Sequence, residues 1–186
     1  MPTEGAMEEP DPQVVGAARR GDIYAFEILV RRYQGDVWRL ALHLMHDDSL
    51  ADDVTQEAFV RAFRFLPRYR GDAKFSTWLF TIARNCANDE LRRSGRRRNL
   101  RVRLDQERPR TPADESVALE VREAVTALPM DLREPVVLID MFGASYAEVA
   151  RILGTPVGTV KSRVHRARAT LARSLLTQRG ERTGEG

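Results

Sequence analysis

The sequence predicts an all-α chain, with two small helical domains joined by a flexible linker and a helix-turn-helix in the C-terminal one. Three observations carry this expectation. Apolar residues recur at steps of three and four over Ile23–Met45 and again over Val157–Leu175, the period of a helix with one buried stripe. Start and stop signals bracket such runs: Asp11 before Pro12, Asp22 after Gly21, Ser145 three residues ahead of Glu148, and Gly143 and Gly154 as stops. Between the halves, from Asn99 to Pro112, periodicity fades and Pro109 and Pro112 enter, as in a linker. With 186 residues, 42% of them hydrophobic, the chain is long enough to bury two small cores.

Taken in order, residues 1–10 are acidic, carry Pro and Gly, and read as a disordered tail. A short helix then runs to Arg20, and Asp22 caps a longer one to about Met45, with Phe26, Leu29, Tyr33, Val37, Leu40 and Leu44 on its apolar side. Ser49 with Asp52 marks the start of a third helix, which Pro67 ends. After a loop with a Gly-Asp turn, Ser76 begins a fourth, whose apolar side is Leu79, Ile82, Ala83 and Cys86. These elements form a first domain, 11–98, followed by a linker, 99–113.

The second domain spans 114–176 and a frayed tail covers 177–186. Its first helix carries Val117, Val121, Ala124 and Leu128 and breaks at Pro129. Asp131 with Glu134 reads as the cap of the next, through Phe142. Ser145 and Glu148 form a capping box, Gly154 stops that helix, and Thr155 as N-cap with Pro156 at the first position restarts the chain.

The last helix carries the clearest chemistry. Val157, Val160, Val164, Ala167 and Leu171 make its apolar stripe, and the opposite face centres on Ser162 and Arg166, with Gly158, Thr159, Lys161, Arg163 and His165 around them. No Asp or Glu occurs from Val149 to Gly180. Small residues permit close approach, polar donors reach base edges and cations hold phosphates, so this face suits the major groove of DNA.

Two further patterns lie in the first domain. Asp52 with Gln56, and Asp53 with Glu57 and Arg61, line up at four-residue spacing as an outward acidic stripe, suited to a basic partner as well as to the helix dipole. Tyr69, Phe75, Trp78 and Phe80 stand among Arg68, Arg70, Lys74 and Arg84, the mixture of stacking surfaces and cations that suits unpaired bases. The same aromatics also suit a loop stapled to a core. Beyond them Arg92, Arg93, Arg96, Arg97, Arg98, Arg101 and Arg103 form a run without an acid, an electrostatic footprint for a polyanion.

Other classes find little support. His43, His46 and Asp47 lack ligand spacing and read as solvated polar residues, so no metal or cofactor is expected. The single cysteine, Cys86, excludes an internal disulfide and reads as a small buried hydrophobe. An acidic N-terminus without a following apolar run offers no export signal, and a cytoplasmic protein is expected. A nuclease built on the carboxylates between Asp47 and Glu57 is one alternative, though nothing arranges them around a substrate. A two-domain helix-turn-helix regulator that uses its first domain for dimerisation or signals is the other.

The stretches DSLADDVTQEAFVRAFRFLPRYRGDAKFSTWLFTIARNCANDELRR and LPMDLREPVVLIDMFGASYAEVARILGTPVGTVKSRVHRARATL, in this order, resemble bacterial sigma factors of the extracytoplasmic-function branch. The resemblance implies a transcription initiation factor that is not an enzyme. Asp52, Asp53, Gln56, Glu57 and Arg61 would bind the clamp helices of core RNA polymerase. The loop from Gly71 to Trp78, with Asp72, Lys74, Phe75 and Ser76, would capture an extruded base of the minus-ten element, and Arg84, Asn85 and Asn88 would help to melt and read it. Gly158, Thr159, Lys161, Ser162, Arg163, His165 and Arg166 would read the minus-thirty-five element. The family also implies a separate anti-sigma factor, and it routes the linker through the polymerase cleft.

Overall fold

The computed structural model describes the backbone of residues 8–100 and 116–183, and the side chains of 8–93 and 121–176. The described residues are helical throughout apart from turns. The elements are α1 (Pro12–Arg19), α2 (Ile23–Met45), α3 (Asp48–Phe65), a 3₁₀ turn (Leu66–Arg68), α4 (Phe75–Leu100), α5 (Ser116–Ala127), α6 (Met130–Asp140), α7 (Tyr146–Leu153) and α8 (Val157–Thr183). The linker expected at 99–113, with Arg101 and Arg103, falls almost wholly outside the described residues, and so do the side chains of Arg96, Arg97 and Arg98.

Several helix starts follow from local sequence. Asp11 accepts from the Gln13 amide at 2.8 Å, and Asp22 accepts from Tyr24 at 2.9 Å and Ala25 at 3.1 Å. Ser145 and Glu148 close the reciprocal capping box, at 2.7 and 3.3 Å, and Gly154 takes the left-handed conformation (φ 62°) that ends α7.

Several boundaries differ from the sequence pattern. α3 is capped by Asp47, whose carboxylate accepts from Leu50, so Ser49 lies inside the helix. The restart before α8 is shifted by one residue: Pro156 supplies its carbonyl to Thr159 and Val160, and the helix begins at Val157. α6 starts after Pro129, whose side chain has no acceptor, so the helix has no side-chain cap; Asp131 falls inside its first turn and Glu134 bonds Arg84 of α4. α8 continues to Thr183, through most of the expected tail at 177–186, since no proline interrupts it.

The core is built on α2. Leu29, Tyr33, Val37, Leu40 and Leu44 are buried to 1% exposure or less and meet Ala51, Val54, Ala58 and Ala62 of α3 and Leu79, Phe80 and Ala83 of α4. The small residues on α3 let the helices approach closely. Cys86 lies in this core, where burial pushes its thiol up to about 11. The same core extends into the C-terminal helices through Val137, Leu138, Phe142, Val149, Ile152, Val160 and Val164. Phe142 meets Phe80 edge-on at 5.4 Å, and the Arg39 guanidinium lies over the Phe142 ring.

His43, His46 and Asp47 are drawn into this packing and are not solvated as their sequence position implied. His46 ends α2 in the left-handed region (φ 54°), and its Nδ1 lies 3.1 Å from the Thr126 hydroxyl of α5. Arg133 of α6 reaches the carbonyls of Leu44 (3.3 Å) and Leu128 (2.9 Å), fastening α2 to the α5–α6 turn. Burial, joined by nearby Arg122 and Arg39, lowers His43 to about 4; burial, then Arg133 and His43, lowers His46 to about 4.

Both imidazoles are held neutral when folded but take up protons near 6.5 when the chain unfolds. Their contribution is therefore complete above pH 6.5 and lost as pH falls toward 4. Thermal melts between pH 7 and pH 5 are expected to show a falling midpoint. In the double variant His43→Gln, His46→Asn that fall is expected to shrink; an equally steep fall in the variant would refute the assignment.

Candidate nucleic-acid interface

The polar face of α8 emerges as the stripe requires. Val160, Val164 and Ala167 are buried against α6 and α7, which leaves Gly158, Lys161, Ser162, His165 and Arg166 exposed and Thr159 half-buried. Ser162 donates to the Thr159 carbonyl at 2.9 Å. Arg168, one turn past Val164, is turned away to Asp140 of α6 at 3.1 Å. Arg163 departs from the expected group: it lines an open cleft of about 490 Å³ with Arg84 and Asn88 of α4 and Met130, Asp131 and Glu134 of α6.

The loop ahead of α4 is built from aromatics. Gly71 takes a positive φ of 80°, and the Tyr69 hydroxyl donates to the Ala73 carbonyl at 2.6 Å, closing the turn. Tyr69, Phe75 and Trp78 pack together with ring centroids 5.2 to 6.0 Å apart. Gly71, Asp72 and Lys74 are exposed and Trp78 is half-buried. Phe75 and Ser76 are 2% and 0% exposed, which corrects their place among the contact residues: they form the underside of the loop.

α4 begins at Phe75, one residue before the expected Ser76. Its leading amides donate to Glu9, a residue that the sequence pattern assigned to a loose tail. The Glu9 carboxylate accepts from Phe75 N–H at 2.7 Å, Ser76 N–H at 3.1 Å and the Ser76 hydroxyl at 2.7 Å. Glu8 is held as well, by Tyr33 through its carbonyl and by Arg32 through its side chain. Glu9 carries no local signal, because its partners lie 66 and 67 positions away.

Carboxylates of α6 and α7 already engage several residues expected at the minus-ten element. Arg84 makes a bidentate pair with Glu134, at 2.7 and 3.1 Å, and Asn88 donates to the same carboxylate at 3.4 Å. Lys74 pairs with Glu148 at 2.8 Å, and Arg151 donates to the Asp72 carbonyl at 2.8 Å. Burial alone would raise the Glu148 carboxyl; the bonds from Lys74 and Ser145 outweigh it and hold that group below its ordinary value. Asn85 is exposed. A nucleic-acid phosphate would compete with Glu134 and Glu148 for the same donors.

On the far side of the first domain, Asp52, Asp53, Gln56 and Glu57 are exposed along α3. Asp52 accepts from the Trp38 indole at 2.8 Å, while Arg61 bridges Glu57 at 2.6 Å and Asp89 of α4 at 2.9 Å. The next turn exposes Val60 (55%) and Phe63 (47%), apolar residues that the inward stripe of Val54, Ala58 and Ala62 leaves out. Their phase on the helix was the available signal.

Glu134 is 5% exposed, so removing its partner strands a charge. Arg84→Ala is expected to cost about 2 to 3 kcal/mol in urea unfolding. The double variant Arg84→Met, Glu134→Met is expected to cost less than Arg84→Ala alone; a larger loss would show that the pair itself supplies the stability.

Two family models match the chain, sigma-70 region 2 over residues 29–97 and sigma-70 region 4 over residues 118–171. The chain is 37% identical to RNA polymerase sigma-H factor of Pseudomonas aeruginosa over 183 residues, covering 90% of this chain and 95% of that one. It is 40% identical to ECF RNA polymerase sigma factor SigM of Mycobacterium tuberculosis over 174 residues, covering 92% and 87%. Among solved structures it resembles the sigma factor RpoE of Bartonella quintana in complex with the anti-sigma factor NepR, with TM-score 0.71, 28% identity and coverage of 81% and 96%. CnrH in complex with the cytosolic domain of CnrY aligns with TM-score 0.71, 29% identity and coverage of 90% and 97%. The region 2 match holds the acidic face of α3 and the aromatic loop, the region 4 match holds the basic face of α8, and the chain belongs to the extracytoplasmic-function branch of the sigma-70 family, the RNA polymerase sigma factors that direct promoter-specific transcription.

Proposed function

We propose that this sigma factor divides its work among three surfaces. Asp52, Asp53, Gln56 and Glu57, with Arg61 bracing them, dock on basic helices of core RNA polymerase, and the exposed Val60 and Phe63 add an apolar shoulder to that contact. The loop around Trp78 and the donors Arg84, Asn85 and Asn88 hold the non-template strand of the minus-ten element. The α8 face, through Lys161, Ser162, His165 and Arg166 with Gly158 and Thr159, reads the minus-thirty-five element in the major groove. The observation that carries this division is the exposed, acid-free polar face of α8 in the same chain as an exposed row of carboxylates on α3.

Promoter opening by such a protein needs no bond to be made or broken, and the chain acts as a non-enzymatic factor in the cytoplasm. Unpairing a base costs a few kcal/mol, and stacking it on an aromatic side chain returns roughly 1 to 3 kcal/mol. Trapping an extruded base beside Trp78 therefore shifts the balance toward the melted strand. Arg84 and Asn88 reach that strand only by leaving Glu134. Because Glu134 is 5% exposed, this exchange also has to open the seam between α4 and α6 so that water can reach the carboxylate that Arg84 leaves. A separate anti-sigma factor is the proposed regulator, by analogy with the complexes of RpoE with NepR and CnrH with CnrY.

Run-off transcription with core polymerase over a genomic fragment library would test the activity and report the promoter. The variant Asp53→Arg, Gln56→Ala is expected to abolish core binding while its melting temperature stays unchanged; full binding would remove the α3 assignment. Arg166→Ala is expected to weaken promoter binding by about 1 to 3 kcal/mol and to relax one base position. A loss equal on all sequences would make Arg166 a phosphate contact.

A further inference from the structure

The helix that carries the proposed minus-ten donors begins at a site its own neighbours cannot cap. Lys74 precedes it, and an ammonium accepts no hydrogen bond. The free amides of a first helical turn nonetheless require acceptors. Glu9 supplies them from the N-terminal segment, using both carboxylate oxygens: one takes the Phe75 amide at 2.7 Å, the other takes the Ser76 amide and hydroxyl at 3.1 and 2.7 Å. A carboxylate also suits the positive end of the α4 dipole.

The segment bearing Glu9 is itself anchored. The hydroxyl of Tyr33, a residue with no exposure, donates to the Glu8 carbonyl at 2.6 Å. The Tyr33 ring then meets Phe75 at 5.6 Å, and Phe75 meets Trp78 at 5.5 Å. One path of contacts thus runs from residues 8 and 9 to the aromatic floor of the loop.

We propose that Glu9 is a positioning residue for promoter opening: by tying the first turn of α4 to the Tyr33-anchored N-terminal segment, it holds Trp78 and Lys74 in the geometry that traps an extruded base. The inference rests on the assignment of the Gly71–Trp78 loop to the minus-ten strand. Glu9 touches no DNA in this role. It acts through the backbone of Phe75 and Ser76.

The test uses the full chain with core polymerase. Glu9→Ala is expected to speed hydrogen exchange at the Phe75 and Ser76 amides about tenfold, the loss of one cap, while amides in the middle of α2 keep their protection. Core binding should stay at the wild-type level, and the rate of open-complex formation, read by permanganate reactivity of minus-ten thymines, should fall about tenfold on duplex promoter. Glu9→Gln, which keeps an accepting oxygen, should recover part of both losses. Glu8→Ala, which removes only the surface pair with Arg32, should match the wild type in both.

Unchanged exchange at Phe75 and Ser76 in Glu9→Ala would overturn the proposal, and so would faster exchange with unchanged opening. Trp78→Ala, accepted only if it still binds core polymerase, separates the two levels. If Trp78→Ala opens promoters normally, the loop assignment fails and the role of Glu9 in opening fails with it. If Trp78→Ala is impaired while Glu9→Ala is not, only the Glu9 proposal falls.

Discussion

Arg84 of α4 and Glu134 of α6 meet across the seam between the two halves of the chain, and the arrangement of both halves depends on that pair. Glu134 is nearly inaccessible to water, so its charge is tolerable only while Arg84, helped by Asn88, satisfies both oxygens. The Phe80–Phe142 contact in the shared core joins α4 to the turn that follows α6, and the ion pair ties α4 to α6 itself. Lys74 with Glu148 and Arg151 with the Asp72 carbonyl repeat the theme at the neighbouring loop.

This seam gives α4 two occupations. Its apolar side is core, with Leu79, Phe80, Ala83, Cys86 and Ala87 buried. Its polar side presents cations that carboxylates hold in this arrangement and that phosphates could hold in another. Arg163 of α8 belongs to the same cleft, which explains why it parts from Ser162 and Arg166 although the three lie within five residues. A helix has a face for every direction, and on α8 one border of the polar stripe points at α4 while its centre points outward.

The polar face of α8 was legible in the sequence because its information is local. A buried stripe at steps of three and four fixes which residues face away from it, and the Ser145–Glu148 box and Gly154 set the helix ends within a few residues. The same holds for Asp53, Gln56 and Glu57, which no inward stripe claims. Caps such as Ser49 were misplaced by a residue or two, whereas the residues whose role changed altogether were those with distant partners. Glu134 stands three residues after Asp131, the spacing of a cap, yet bonds a residue 50 positions away. Glu9 looked like part of an unstructured acidic tail, and Phe75 and Ser76 looked like contact residues, until a single set of hydrogen bonds joined them.

Sequence alone thus determined the helical class, most helix limits, the outward faces of α3 and α8 and the family resemblance, since helix periodicity and capping act over three or four residues. Only the tertiary structure decided which charges meet: Arg84 with Glu134, Lys74 with Glu148, and Glu9 with the first turn of α4. The reason is physical. An isolated Glu or Arg has the same pattern value wherever it stands, and its worth is set by desolvation and by the partner that packing brings within hydrogen-bond distance.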